Sequence, residues 1–393
     1  MSTIFLATTG GTFSSLGVLL PQMIQDIGWT WTQAGLGFTV LALFTGITST
    51  VPAFTIERIG LRMSYLIGGI LIASGFFVFS RSSNLATYLI GAAFIGFGYT
   101  QTGAVPAIKV LSNWFDKNRS FAIGLFFTAG AIGSIVGPLA ASYYLTNLGS
   151  WRLYWSSIAV LCLGLSVLAA LFISDGIGPS SNRGSSEIDE NKNETDWEFG
   201  DVLRTPQYYA IMLGVTVTLL GALTMNTWQV THMQNLGVAT TLTASALSAH
   251  AFFNALSRAV GGLVIDRIGA KIIFSAGLFS GVVGMLALSI ADSPLLILLF
   301  AIGDGISFGL VTFATSIILL DYYGAKNNPI ILGVVNLVTT LAMVGPVLAG
   351  YLADRIGGFK EVFIGISVLL FISFAFILFV KPPTAPSLRK PTN

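Results

Sequence analysis

Three polar side chains stand four residues apart in an otherwise apolar stretch: His250, Asn254 and Arg258. On a helix this spacing lines them along one face, drifting slowly around it. Arg258 makes the strongest demand. If the stretch crosses a bilayer, a guanidinium near its centre costs about 2.5–3.5 kcal/mol on insertion scales, so it needs an anion, a protein partner or water. Its planar fork matches a carboxylate with two hydrogen bonds. Arg258 is therefore the candidate anion-binding group, and Asn254 can add a donor to the same anion. Two other readings stay open. Arg258 sits closer to the membrane surface than its place in the run suggests and snorkels, or it forms a static pair with a carboxylate.

That carboxylate would be Asp304, the one acidic residue deep inside an apolar run. Burial disfavours the charged form of a carboxyl group, and a nearby cation favours it, so Asp304 is a candidate proton site coupled to an anion on Arg258. A fixed Arg258–Asp304 pair is the competing reading. His250 is either a second proton carrier or a hydrogen-bonding residue at the entrance. Tyr99, Gln101 and Asn336 are further polar groups inside apolar runs and are taken as candidate substrate contacts. Phe126, Phe127 and Phe308 read as packing.

These residues are positioned by elements that only lipid can solvate. Apolar residues make up 54% of the 393-residue chain and charged residues 9%, against about 25% charged in soluble domains. The mean hydropathy is +0.81. The 44 glycines suit helices that approach closely in a membrane. The net charge of +2 offers no basic patch for nucleic acid. A single cysteine, Cys162, excludes an intrachain disulfide. With two histidines and no CxxC, HExxH or phosphate-binding loop, no metal site, cofactor or catalytic set is expected, and the chain is not read as an enzyme.

Crossing the hydrocarbon core takes about 20 apolar residues. Twelve stretches fit: 3–24, 33–56, 63–80, 86–110, 119–143, 152–173, 207–231, 243–265, 271–290, 295–319, 329–352 and 359–380. The first has no basic leader and is read as a retained transmembrane helix, not a removed signal. Placing both termini in the cytoplasm puts 14 of the 19 lysines and arginines inside and four outside, with Arg258 within the membrane. The polar segment 175–206 reads as a flexible cytoplasmic linker, because its serines and acids cannot drive a core. The expected organisation is an N-terminal bundle over 1–174, the linker, a C-terminal bundle over 207–381 and a cytoplasmic tail over 382–393.

The halves repeat one another. Glu57-Arg58-Ile59-Gly60 matches Asp266-Arg267-Ile268-Gly269, Gly137-Pro138 matches Gly345-Pro346, and Ile95-Gly96-Phe97-Gly98 resembles Ile302-Gly303-Asp304-Gly305, all at nearly one offset. Ala141, Tyr143 and Gly149 match Ala349, Tyr351 and Gly357 in the same way. The fold class expected is an all-α membrane protein: twelve transmembrane helices in two pseudo-symmetric six-helix bundles around a central cavity.

Several local patterns carry a family resemblance. Glu57 to Arg62 and Gly262 to Lys271 are similar to the loop motif that follows the second and eighth helices of major facilitator superfamily transporters. Trp114 to Gly124 and Gly345 to Asp354 resemble patterns of the monocarboxylate and oxalate/formate porter branch. The resemblance spans the chain. It implies alternating access for a small organic anion, with an eighth-helix arginine, here Arg258, on the substrate carboxylate. It also implies a cytoplasmic gating cluster built from Glu57, Arg58, Gly60, Arg62, Asp266, Arg267 and Gly269. The first copy departs from the pattern at Ala53 and at Glu57, where glycine and aspartate belong. Animal monocarboxylate porters carry a first-helix lysine where this chain has Leu19, and an aspartate where it has Asn254. The second membrane cation of the oxalate type has no counterpart within 329–352. One cation suits one carboxylate.

The expectation is a secondary carrier of a small monocarboxylate in the cell membrane, coupled to a proton, whose two halves need no partner chain to make a pathway; the oligomeric state is left open. A superfamily exporter of amphipathic compounds and a membrane sensor built on a carrier fold are the alternatives.

Overall fold

The computed structural model describes residues 2–103, 106–107, 111, 119–172, 197–324 and 327–383, and every regular element among them is helical. The helices are α1 (Ser2–Ile27), α2 (Trp31–Ile47), α3 (Val51–Ser80), α4 (Leu85–Thr102), α5 (Arg119–Leu148), α6 (Trp151–Phe172), α7 (Pro206–Asn235), α8 (Thr240–Ile268), α9 (Ala270–Ser289), α10 (Pro294–Tyr323), α11 (Ile330–Ile356) and α12 (Lys360–Phe379). Among the described residues nine candidate spans are long and apolar enough to cross a membrane. Helix α8 holds none of them, and its threonines, serines and the His250–Asn254–Arg258 stripe explain why.

Several helices depart from regularity where the sequence invites it. The expected second span, 33–56, is broken at Thr48–Thr50. There the Thr48 hydroxyl donates to the Phe44 carbonyl at 2.6 Å, competing with the helix ladder, and Pro52 occupies the first turn of α3, where its missing N–H costs nothing. Residues 57–62 are not an open loop. They continue α3 through a kink at Gly60, whose φ of 80° and ψ of 166° are non-helical. Helix α1 contains a π-helical stretch at Gly10–Ser14, and α11 a 3₁₀ stretch at Thr340–Val344.

The internal repeat is visible in the backbone. The positive-φ glycines include Gly28 with Gly237, Gly60 with Gly269, and Gly149 with Gly357, each pair at the offset read from the sequence. In packing, α3 lies against α4 and α6, and six helices later α9 lies against α10 and α12.

The chain divides into two compact units. Unit 1 is Met1–Ser186 with Asn226–Ser248 and Pro346–Gly357, and unit 2 is Glu187–Met225 with Ala249–Gly345 and Gly358–Asn393. In unit 1, a Cβ at Gly10 would lie 2.6 Å from the Gly133 carbonyl oxygen, so α1 and α5 pack backbone to backbone, as small residues permit in lipid. In the same unit Trp228 Nε1 donates to the Pro346 carbonyl at 2.8 Å. Asp354, at the end of α11, caps α2: its Oδ1 accepts from the Trp31 N–H at 3.0 Å and its Oδ2 from the Thr32 N–H at 2.8 Å. A carboxylate at a helix N-terminus both satisfies orphan donors and meets the positive end of the dipole. Asp26 reinforces this unit by pairing with Arg152 at 3.5 Å and accepting from Trp151 Nε1 at 2.6 Å.

Unit 2 contains an element that composition alone did not suggest. Residues 175–196 of the expected linker lie outside the described residues, but its final stretch is folded. Trp197 is buried and meets the Tyr323 ring edge-on at 5.2 Å. Its carbonyl accepts from Asn327 Nδ2 at 2.8 Å. A single helical turn, Phe199–Val202, follows, and the Thr205 and Tyr323 hydroxyls share a hydrogen bond of 2.7 Å. Trp197 thus anchors the described stretch that leads into α7.

Removing the α2 cap should weaken unit 1. Asp354→Ala is expected to destabilise the protein by about 0.5–2 kcal/mol, the usual value of a helix cap, read as a lower thermal unfolding midpoint of the purified protein in detergent.

Candidate functional site

The candidate residues of α8 and α10 belong to unit 2, and glycine brings the two helices together. A Cβ at Gly305 would lie 2.7 Å from the His250 carbonyl oxygen, and one at Gly309 would lie 2.6 Å from that of Asn254. No larger residue fits there, so α10 rests directly on the α8 backbone. The contact sets a register. His250, Asn254 and Arg258 on α8 face Asp304, Phe308 and Thr312 on α10, two rows of the same four-residue spacing.

At one end of the register His250 Nε2 lies 3.0 Å from Asp304 Oδ2. Both residues are 4% exposed. The separation is that of a hydrogen bond, although the alignment is off, and neither atom has another hydrogen-bond partner among the described residues. The Phe300 ring stacks parallel to the imidazole at 6.2 Å.

At the other end Arg258 is exposed. Its Nε donates to Asn254 Oδ1 at 3.1 Å and its Nη2 to Thr312 Oγ1 at 3.1 Å. Thr312 is fixed in turn by donating to the Phe308 carbonyl at 2.6 Å, and the guanidinium lies 5.6 Å from the Phe308 ring centroid, within cation–π range. Arg258 is thus oriented by an amide, a hydroxyl and a ring, all neutral. Its Nη1 makes no hydrogen bond among the described residues, and no carboxylate there pairs with it. The Arg258–Asp304 pair entertained from the sequence does not form in this structure, because Asp304 is taken by His250. Thr312 was not singled out from the sequence, and Phe308 was read as packing. The signal was present, since Asp304, Phe308 and Thr312 repeat the spacing of the α8 stripe.

The other candidates lie on other helices. Tyr99 and Gln101 belong to unit 1. The Tyr99 ring meets Phe13 edge-on at 5.5 Å, and its hydroxyl lies 3.5 Å from that of Thr9. Gln101 is buried, and its Oε1 accepts from Thr55 at 2.9 Å and from Ser64 at 2.8 Å. Those hydroxyls flank the Gly60 kink, so this oxygen of Gln101 braces α3. Asn336, in unit 2, is exposed, and its carbonyl accepts from Thr339 and Thr340 at 2.8 and 3.2 Å. Glu57, Arg58, Arg62, Asp266 and Arg267 are exposed. Among the described residues, neither Glu57 with Arg58 in unit 1 nor Asp266 with Arg267 in unit 2 forms an ion pair. Both motif glycines, Gly60 and Gly269, have positive φ. Residues 114–118 of the motif before α5 lie outside the described residues. No group of three or more His, Cys, Asp or Glu side chains that could hold a metal occurs among the described residues.

The model of the Major Facilitator Superfamily matches residues 2–233 and again 210–393. The chain belongs to that superfamily. The two matches overlap over residues 210–233. Among curated relatives, superfamily likeness extends to monocarboxylate transporter 4 of Gallus gallus, 25% identical over 96% of this chain and 81% of that protein. The oxalate:formate antiporter of Oxalobacter formigenes is 24% identical over 95% of this chain and 92% of its own length. Among solved structures, a bacterial homologue of the human lysosomal transporter Spinster, in an inward-facing and unoccupied conformation, superposes with a TM-score of 0.77 at 14% identity, covering 96% of this chain and 94% of that one. At that identity the likeness speaks for the fold alone. The chain is accordingly a multi-pass membrane transporter of the major facilitator fold, not an enzyme.

The α8–α10 register should fail if its glycine contact is filled. Gly305→Leu is expected to cost about 1–3 kcal/mol through overpacking, seen as a lower unfolding temperature and reduced yield of monodisperse protein, while Gly164→Ala, where nothing lies within 4 Å of the added methyl, leaves both near wild type.

Proposed function

We propose that this chain moves a small monocarboxylate across the cell membrane by alternating access, in symport with a proton, and that Arg258 binds the carboxylate. The observation that carries this reading is the state of Arg258. A guanidinium within a transmembrane helix normally has an anionic partner. Here its supports are neutral and its Nη1 edge has no hydrogen bond among the described residues. An anionic substrate completes the site, docking on that edge with the paired hydrogen bonds a carboxylate can accept. Asn254 contributes by holding Nε, which fixes the plane of the fork before substrate arrives. The relatives named for monocarboxylate and for oxalate and formate support the substrate class. A single cation on this register favours a monoanion over a dianion. Asp304 and His250 are the proton-coupling groups in this reading, and the bias of lysine and arginine supports cytoplasmic termini.

Proteoliposome uptake of radiolabelled lactate, pyruvate and formate, with and without an inward proton gradient, tests the proposal. Accumulation of at least one acid under the gradient is expected. Loss of a charge partner costs about 2–5 kcal/mol, so Arg258→Ala should lower transport roughly thirtyfold or more with surface expression intact, and Arg258→Lys should recover little of it, because an ammonium lacks the planar fork. Wild-type uptake of none of the three acids, or full uptake by Arg258→Ala, would overturn the reading.

Thr312 tests the orientation of the guanidinium separately. Thr312→Val removes the acceptor of Nη2 and leaves a donor unpaired, which costs about 1–3 kcal/mol. The expected result is a KM raised about fivefold or more with little change in maximal rate, and Thr312→Ser should restore it.

A further inference from the structure

Building on the carrier reading above, we infer that His250 and Asp304 are not two independent proton carriers but one proton-binding site that holds a single shared proton between Nε2 and Oδ2. Three observations lead there. The two atoms are 3.0 Å apart, and each lacks any other hydrogen-bond partner among the described residues. Both side chains are more than nine-tenths buried. Glycines enforce the approach from two sides. Gly305 seats α10 on the His250 carbonyl. Gly303 and Gly284 seat α9 on α10, where a Cβ at Gly303 would lie 2.8 Å from the Gly284 Cα. The close backbone contact of α8 with α10 holds the two side chains on facing positions.

Charge conservation in a low-dielectric interior selects the proton count. With one proton the pair is neutral, either as imidazolium and carboxylate or as imidazole and carboxylic acid. With none it carries one negative charge, and with two it carries one positive charge. Each charged state is an uncompensated charge in a buried site, which is costly. The surrounding charges do not change this choice. On α8 the facing charged group is Arg258, eight residues away, with Asp266 and Arg267 beyond it at the helix end. On α9 it is Lys271 in the first turn, on α10 Asp321 in the last turn, and Asp292 stands just before the first turn of α10. None of these is paired with His250 or Asp304. Ser307, one turn along α10, contributes a buried hydroxyl with no partner, which neither supplies nor removes charge.

The shared proton also gives the coupling its sign. Eight residues of helix rise separate His250 from Arg258 by roughly 12 Å. A carboxylate on Arg258 meets a neutral pair when the proton is present. When the proton leaves, the pair becomes negative, and at that distance and an effective dielectric constant near 20 the repulsion weakens anion binding about tenfold. By reciprocity, bound anion holds the proton about tenfold more tightly. The proton enters with the anion from one side of the membrane and leaves with it on the other, and no other reactant is needed.

The chain has two histidines, so a ¹⁵N-histidine NMR titration of the full-length protein in nanodiscs, assigned with His232→Gln, reads His250 directly and without substrate. In wild type the His250 ring nitrogens should shift with pH as the shared proton is lost. In Asp304→Asn they should stay those of neutral imidazole across the same range. An identical titration in both proteins would overturn the shared site whatever the substrate is. If lactate is carried, the ratio of gradient-driven uptake to lactate counterflow should fall about tenfold in His250→Gln and in Asp304→Asn, and the double variant should match either single, as for one site. Multiplicative losses in the double variant would mean two independent sites. Absence of lactate uptake in wild type bears on the carboxylate reading alone and leaves the NMR result to decide this one.

Discussion

A charge inside hydrocarbon must be compensated, and that constraint organises the middle of unit 2. The facing rows of α8 and α10 hold Arg258, Asp304 and His250, and the structure distributes them unequally. The carboxylate and imidazole lie 3.0 Å apart, while the guanidinium receives only neutral acceptors and a ring. Had Arg258 been given Asp304, the site would be electrically complete and would offer an anion nothing. Assigning Asp304 to His250 keeps Arg258 short of one negative charge, and that deficit is what a monocarboxylate can fill.

The distribution rests on glycine. Two helices that meet through side chains lie about 8–10 Å apart, and the small residues at the α8–α10 contact bring the backbones closer. Gly305 and Gly309 lie against consecutive turns of α8, at the carbonyls of His250 and Asn254, so the two rows of functional side chains are set one turn at a time. The chemistry is in the rows and the precision is in the glycines beside them. This is why the glycine content that first marked the chain as a membrane protein also bears on its function.

Much of this was legible in the residues. Hydropathy located the helices, and the His250–Asn254–Arg258 stripe stood out because polar side chains are expensive in lipid. The offset between the halves anticipated the backbone, down to the matched positive-φ glycines Gly60 and Gly269. What was not legible was partner choice. Arg258 has the same spacing whether Asp304 or Thr312 receives it, and only the relative shift of α8 and α10 decides. A threonine in an apolar helix carries little signal, since it often bonds its own backbone, as Thr312 also does. Gln101 illustrates the opposite error. It looked like a cavity residue, but its oxygen is occupied by Thr55 and Ser64 across the Gly60 kink. The anchoring of Trp197 likewise depends on tertiary neighbours that local composition does not reveal.

The repeat sharpens the functional argument by where it stops. At the offset that aligns the halves, the positions of His250, Asn254 and Arg258 correspond to Leu41, Thr45 and Ser49, and that of Asp304 to Phe97. The architecture is duplicated, as the matched glycines and the shared α3–α4–α6 and α9–α10–α12 packing attest, but the ionisable groups of this register are not. A symmetric pair of charged registers would bind two anions, or one dianion between them. Confining the cation, the carboxylate and the imidazole of this register to a single half gives, on the reading proposed above, one site for one negative charge, and that asymmetry within a repeated architecture is what argues for a monoanion as the cargo.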